Sequence, residues 1–116
     1  MAQLSTLGVI RVMDFDTRIF EAVEGGTLEK PHDLVQILAY VDSREKLVLS
    51  HEELSGGLQR LVEQGRIAEL PRHRFYRTAD DSAPRTFSGL TLEEYREACE
   101  AYRKWFWKTY KELTKK

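Results

Sequence analysis

Cysteine, clustered histidine and long apolar runs are all scarce in this chain, and each scarcity removes a class of protein. Cys99 is the lone cysteine, so no disulfide can close within one copy and a disulfide-built secreted scaffold is excluded. With neither His nor Arg adjacent to activate it, Cys99 reads as a small buried hydrophobe rather than a reactive thiol. No stretch approaches the ~18–20 apolar residues of a membrane span, and the opening MAQLSTLGVIRV lacks the positive n-region and unbroken apolar core of a signal peptide. The expected location is therefore cytoplasmic. His32, His51 and His73 are scattered, and none has a second ligand at i+3 or i+4, so no zinc site is expected. Glu52-Glu53 and Glu93-Glu94 resemble catalytic carboxylate pairs, but each falls in the first turn of an expected helix, where negative charge is favoured. Gly56-Gly57 lacks the strand, loop and lysine of a phosphate-binding turn. No catalytic residue, metal or cofactor is expected, and the chain reads as a non-enzyme.

What is present is a chain of 116 residues, 41% hydrophobic and 32% charged, enough for one domain with an appendage and a proper core. The net charge of −1 conceals an uneven distribution. Residues 1–30 carry three basic and five acidic side chains, whereas residues 103–116 carry six basic and one acidic. Such asymmetry permits a local polyanion contact, although a lysine-rich helix end is also what the helix dipole prefers.

Residues 1–13 form an apolar lead-in read as extended. A first helix is expected from an N-cap at Asp14 or Asp16, with Phe15, Ile19, Phe20 and Val23 on one face and a stop at Gly25-Gly26. A second should start at Pro31 as its first residue, bury Leu34, Ile37, Leu38 and Val41, and stop near Asp42-Ser43. Leu47, Val48 and Leu49 are β-compatible. The third helix has fuller start signals: Ser50 and Glu53 at capping-box spacing, and Leu49 and Leu54 at the staple positions. Its stripe is Leu54, Leu58, Leu61 and Val62, and Gly65 supplies the stop. Glycines inside a helix cost about 0.5–1 kcal/mol each relative to alanine, so the Gly56-Gly57 pair needs a reason. Gly57 borders the stripe and would let the second helix approach; Gly56 points outward and could admit a sugar-phosphate backbone.

Segments 66–70 and 75–78 flank Pro-Arg-His-Arg and read as a hairpin with a four-residue connection, with 47–49 as a candidate third strand. Residues 79–89 form a polar linker. Thr91 with Glu94, and Leu90 with Tyr95, repeat the capping box and staple for a last helix. Its residues Leu92, Tyr95, Cys99, Tyr102, Phe106, Thr109 and Leu113 draw one seam at alternating steps of three and four.

The pattern Glu52, Glu53, Leu54, Leu58, Leu61, Val62, Gln64, Gly65, Ile67 and the hairpin through Thr78 resembles a winged helix-turn-helix domain of the kind common in small prokaryotic DNA-binding proteins. The resemblance covers residues 14–78 and is specific for a fold rather than for one family. It implies that the third helix lies in a major groove and the wing touches an adjacent groove or phosphate. By position, contact with DNA would fall to Ser55, Gln59 and Arg60 on the helix and to Arg72, His73 and Arg74 at the wing tip. Gln and Arg suit base edges and phosphates, but residues 50–78 hold five Arg against four Glu, a weak footprint for a surface that must neutralise several phosphates.

The expected fold is mainly α with a small antiparallel β wing: a three-helix winged-helix domain at 14–78, a linker at 79–89, and a long C-terminal amphipathic helix at 90–116. Tyr95, Cys99, Tyr102, Trp105, Phe106 and Trp107 make that helix a candidate dimer or partner interface, since Trp and Tyr are enriched in such surfaces. The function expected is a DNA-binding transcriptional regulator acting as a homodimer. The alternative is a winged-helix protein–protein interaction module without DNA binding. Duplex DNA, a second copy and a protein partner are thus the expected partners, with no membrane.

Overall fold

The computed structural model describes residues 15–80 and 82–114. These form helices α1 (residues 15–24), α2 (Leu34–Glu45), α3 (His51–Glu63) and α4 (Leu92–Thr114), with strands β1 (Ile67–Leu70) and β2 (Arg74–Arg77). The chain is mainly helical, with one two-stranded antiparallel sheet and a long C-terminal helix. Three helices followed by a hairpin is an order compatible with a winged-helix arrangement. The expected lead-in and the Asp14 cap lie outside the described residues; Asp16, the other cap candidate, sits inside α1.

The core is built where the apolar periodicity places it. Ile19 and Val23 of α1, Ile37, Leu38 and Val41 of α2, and Leu54, Leu58, Leu61 and Val62 of α3 are essentially inaccessible to solvent. Ile67 and Phe75 enter from the hairpin, and Leu90, Ala98 and Tyr102 close the cluster. Burying one Leu, Ile or Phe side chain contributes roughly 1.5–3 kcal/mol, so this contiguous set fixes how the helices sit.

Helix α2 starts later and ends later than its sequence suggests. Asp33, not a residue before Pro31, is the N-cap: its carboxylate accepts from the Gln36 N–H at 2.9 Å, and the Gln36 side chain accepts from the Asp33 N–H at 2.8 Å. Pro31 cannot open the helix because His32 is already committed elsewhere, donating to and accepting from Phe75 at 2.8 and 2.7 Å in an antiparallel bridge. At the other end the helix passes Asp42 and Ser43 and stops at Lys46, whose N–H still bonds the Asp42 carbonyl while its left-handed backbone turns the chain out of the helix.

That bridge also corrects the third strand. Residues 47–49 are not paired in the sheet; the segment that approaches β2 is the one around His32. Leu49 is instead the fully buried staple residue before α3, and its carbonyl accepts from the Tyr95 hydroxyl at 2.5 Å. The α3 start follows expectation, with reciprocal Ser50–Glu53 bonds at 3.1 and 2.8 Å, and Gly65 adopts φ +73° just past the helix end, where only glycine is unstrained.

Gly57 does serve packing, though against α1 rather than α2. A Cβ at that position would collide with Ile19 Cδ1 and come within 3.1 Å of Asp16 Oδ1. The hairpin pairs Ile67 with Arg77 and Leu70 with Arg74, so Arg74 belongs to the strand and the connection is three residues, Pro71, Arg72 and His73.

The segment between β2 and α4 has no regular structure but is fastened at several points. Phe87 packs against Phe75 with ring centres 6.1 Å apart, Ser88 bonds Glu69 through both its N–H and its hydroxyl, and a His51 ring nitrogen lies 2.6 Å from the Leu90 carbonyl. The Thr91–Glu94 capping box then launches α4. Along α4, which packs on α2, the expected seam divides. Ala98 and Tyr102 are buried and Tyr95 is half-buried, whereas Leu92, Phe106 and Leu113 remain open to solvent.

Candidate functional site

Three surfaces carry the residues singled out by sequence, and the structure treats them differently. The first is the outward side of α3. Arg60 is engaged by Asp16 through a bidentate pair, Nε to Oδ2 at 2.6 Å and Nη2 to Oδ1 at 2.8 Å. These bonds hold the Arg60 guanidinium above its ordinary value, and the side chain lies across Gly56, with Nη1 3.2 Å from where a Cβ would stand. Gln59 donates to Glu63 at 3.1 Å, and Ser55 is half-buried. The face therefore presents Asp16, Glu52 and Glu63 around a guanidinium already satisfied by one of them. A phosphate approaching it meets net negative charge and must displace a geometry that Arg and carboxylate match well.

The second is the hairpin tip. Arg72 and His73 adopt φ of +69° and +53°, a region that non-glycine residues occupy at about 1–3 kcal/mol each unless their surroundings hold them there. His73 is held. Its Nδ1 lies 3.1 Å from Glu69 and its Nε2 3.1 Å from Glu94, and its side chain is 15% exposed. Glu69 also accepts from the Ser88 hydroxyl at 2.6 Å. Glu94 receives the Thr91 N–H and the His73 ring, which together hold its carboxyl below the usual range. His73 thus works as a clasp between the hairpin and the start of α4 and is withdrawn from any groove. Arg74 Nε donates to the Pro71 carbonyl at 2.9 Å, and Arg72 projects into solvent.

This clasp escaped sequence reasoning. Glu69 and His73 are four apart across a turn rather than along a helix, and Ser88 and Glu94 join them only through the fold. The sole available signal was the number of polar side chains clustered around a three-residue connection.

The third surface is α4. Tyr95 and Tyr102, both interface candidates, face inward: Tyr102 donates to Asp42 at 2.6 Å. Burial and the Asp42 carboxylate push the Tyr102 phenol well above its usual value, while burial with Cys99 and Glu53 nearby pushes Tyr95 up to about 12. Cys99 is half-buried. Trp105, Phe106 and Trp107 lie 48%, 45% and 52% exposed, joined by Tyr110 at 47%. Phe106, Trp107 and Tyr110 interlock edge to face at 5.9 and 5.6 Å, and Trp105 stacks on Tyr102 at 5.9 Å. A groove of about 500 Å³ runs between this half of α4 and the end of α2, with Ala39, Ser43 and Lys46 opposite Trp105 and Thr109.

No protein-family model, curated protein or solved structure matches the chain. The assignment of a role therefore rests on these surfaces alone. Among the described residues no group of three His, Cys, Asp or Glu side chains converges to hold a metal ion, and no described helix is long and apolar enough to cross a membrane.

Proposed function

We propose that the chain is a small winged-helix interaction module that works by protein–protein contact through the outer half of α4 rather than by reading DNA through α3. The observation that carries this reading is the run Trp105, Phe106, Trp107 and Tyr110, all half-exposed and the last three interlocked, on a helix whose first half is anchored in the core. Aromatic side chains of this kind dominate interface energetics because each offers a large rigid apolar surface with few torsions to freeze. The Arg60–Asp16 pair and the His73 clasp support the same conclusion, since they occupy two of the side chains that groove reading would need.

Duplex binding through the wing is a second reading, favoured by one observation: Arg72 and Arg77 stand exposed on the hairpin, with Arg66 beside its first strand. The two readings separate in one experiment. Titration of a labelled duplex at low salt, run beside sedimentation of the same protein, should give no duplex shift at micromolar protein. Salt-sensitive duplex binding that disappears in Arg72→Ala/Arg77→Ala yet survives Phe106→Ala/Trp107→Ala would replace the module reading with the second.

A further inference from the structure

The groove beside the outer half of α4 is one of two hollows that meet. The first, about 500 Å³, has Ala39, Ser43 and Lys46 on the α2 side and Trp105, Thr109 and Leu113 on the α4 side. The second, about 390 Å³, is lined by Val48, Cys99 and Arg103, and Asp42, Tyr102 and Phe106 line both. Their walls are largely apolar, but the charge they carry is one-sided. Among the described residues Asp42 is the only acid lining either hollow, and its carboxylate already accepts from the Tyr102 hydroxyl at 2.6 Å. Each hollow has one cation, Lys46 in the first and Arg103 in the second. Lys46 is exposed and enters no ion pair among the described residues. Arg103 reaches Glu100 at 3.6 Å with both side chains more than half exposed, a pair that water and salt screen and a partner's carboxylate can replace. With Lys104, Lys108 and Lys111 against Glu112, the described outer half of α4, residues 103–114, stands at +3.

Resting on the reading of α4 as a protein-contact surface, we infer that its occupant is an acidic amphipathic helix of a partner protein, which seats one apolar side chain in each hollow and sets carboxylates against Lys46 and Arg103. A helix laid into an apolar groove is held by anchors at i and i+3 or i+4, whose Cβ atoms stand about 5–6 Å apart. Two hollows that share Asp42, Tyr102 and Phe106 as walls ask for anchors as close as that. Charge selects this occupant over the others within reach. Residues 1–13 are apolar enough to fill the hollows, but Arg11 is their only charged side chain, so they would bring a cation to a cationic rim. A second copy docking by its own outer half would set +3 against +3, and like charges brought together oppose association. A lipid surface is flat and leaves both concavities unfilled. An acidic helix fills them and is steered toward them by the local positive field.

Fluorescence anisotropy with the full chain tests this. The probe is a fluorescein-labelled helical peptide with leucine at i, i+4 and i+7 and glutamate on its remaining face, titrated beside the same peptide with lysine in place of glutamate. The acidic peptide should bind at micromolar protein, weaken as salt rises, and exceed the lysine peptide in affinity by about tenfold or more. Lys46→Glu/Arg103→Glu should cut that preference by about fivefold or more with unchanged circular dichroism, since both side chains are exposed. Phe106→Ala, which removes a wall common to both hollows, should weaken the acidic peptide about tenfold and leave its salt dependence as it was.

Equal affinity for the two peptides, or an acidic preference that survives Lys46→Glu/Arg103→Glu, would overturn the acidic partner while leaving α4 as the contact surface. No binding of the acidic peptide at several hundred micromolar protein would overturn it as well. So would a chain that dimerises, or sediments with vesicles containing anionic lipid, through Phe106 and excludes the peptide in doing so. A duplex shift carried by the hairpin arginines sinks the module reading itself, and is distinct from all of these.

Discussion

Adjacent glycines in α3 should respond to alanine with opposite signs, and the reason is on either side of one helix. At Gly56 a new Cβ would meet only the guanidinium of Arg60, 3.2 Å away at the end of an exposed side chain. The guanidinium can shift by a few tenths of an ångström, so the gain in helix propensity is realised and Gly56→Ala should stabilise by about 0.5–1 kcal/mol. At Gly57 the same methyl would drive into Ile19 Cδ1. Ile19 is 0% exposed, so Cδ1 has no solvent to retreat into, and overpacking of this kind costs about 1–3 kcal/mol. Set against the same propensity gain, Gly57→Ala should destabilise by about 1 kcal/mol. Urea unfolding followed by far-ultraviolet circular dichroism reads both as midpoint shifts at constant slope, each of several tenths of a molar for a slope near 1–2 kcal/mol per molar. The collision is specific, so Ile19→Val, which deletes Cδ1 and alone costs about 0.5–1.5 kcal/mol, should cost less in the Gly57→Ala background. Equal stabilisation by both alanines, or additive behaviour in the Ile19 cycle, would refute the packing account of the pair.

Other expectations follow from the contacts of α4. Tyr102→Phe removes the hydroxyl that donates to Asp42 at 2.6 Å and should lower stability by about 1–2 kcal/mol, in the range for a hydrogen bond to a charged group that stays partly wet; thermal unfolding checks it, and no change would mean the bond is worth no more than its water replacement. The depressed Glu94 carboxyl contributes stability that is fully present above its unfolded pKa and is lost as pH falls through the lower folded value. Urea midpoints should therefore decline as pH drops below about 4.5, and decline less steeply in Glu94→Gln. The raised Tyr95 and Tyr102 phenols have the opposite sign: stability is intact below pH 10 and lost as pH rises toward the folded values, so Tyr95→Phe should flatten the alkaline limb of the same titration. Ser50→Ala breaks a capping bond of 3.1 Å to the Glu53 N–H and should cost about 1 kcal/mol.

How much of this could be read from the chain depended on the range over which each contact acts. The Ser50–Glu53 and Thr91–Glu94 boxes, the α3 leucine stripe and the Gly65 stop are local, and their residue types declare them. Asp33 and Gln36 carry the same spacing as those boxes and would have located the start of α2; proline at 31 was the louder signal and the wrong one, because its neighbour His32 is claimed by Phe75 across the fold. Leu47, Val48 and Leu49 have strand-like composition, yet only five residues, 46–50, separate α2 from α3. Staple packing and the Tyr95 hydroxyl leave Leu49 no ladder to join. The candidate surfaces were legible in composition but not in availability. Arg60, Gln59 and His73 have the side chains that recognise nucleic acid, and each spends them on Asp16, Glu63, or Glu69 with Glu94, partners 4 to 44 residues away in sequence.

The same long-range contacts give α4 its direction. Tyr95 is tied to the residue before the α3 cap, His51 to the residue before the α4 cap, and His73 to Glu94, so the first half of α4 is anchored at once to the α3 start and to the hairpin. Its outer half is held by far less: Trp105 stacks on the anchored Tyr102, and beyond it the groove beside α2 stays open. A rigid base carrying an open aromatic end presents that surface already ordered, so little side-chain and backbone freedom remains to be lost on association, and pre-organisation of this kind strengthens binding chiefly by lowering that entropic cost. Loosening the base should then weaken association without touching the contact surface. His73→Ala, which removes the clasp between hairpin and helix while leaving every exposed aromatic in place, should speed amide hydrogen exchange in the first half of α4 severalfold; unchanged exchange would mean that this half is ordered independently of the clasp.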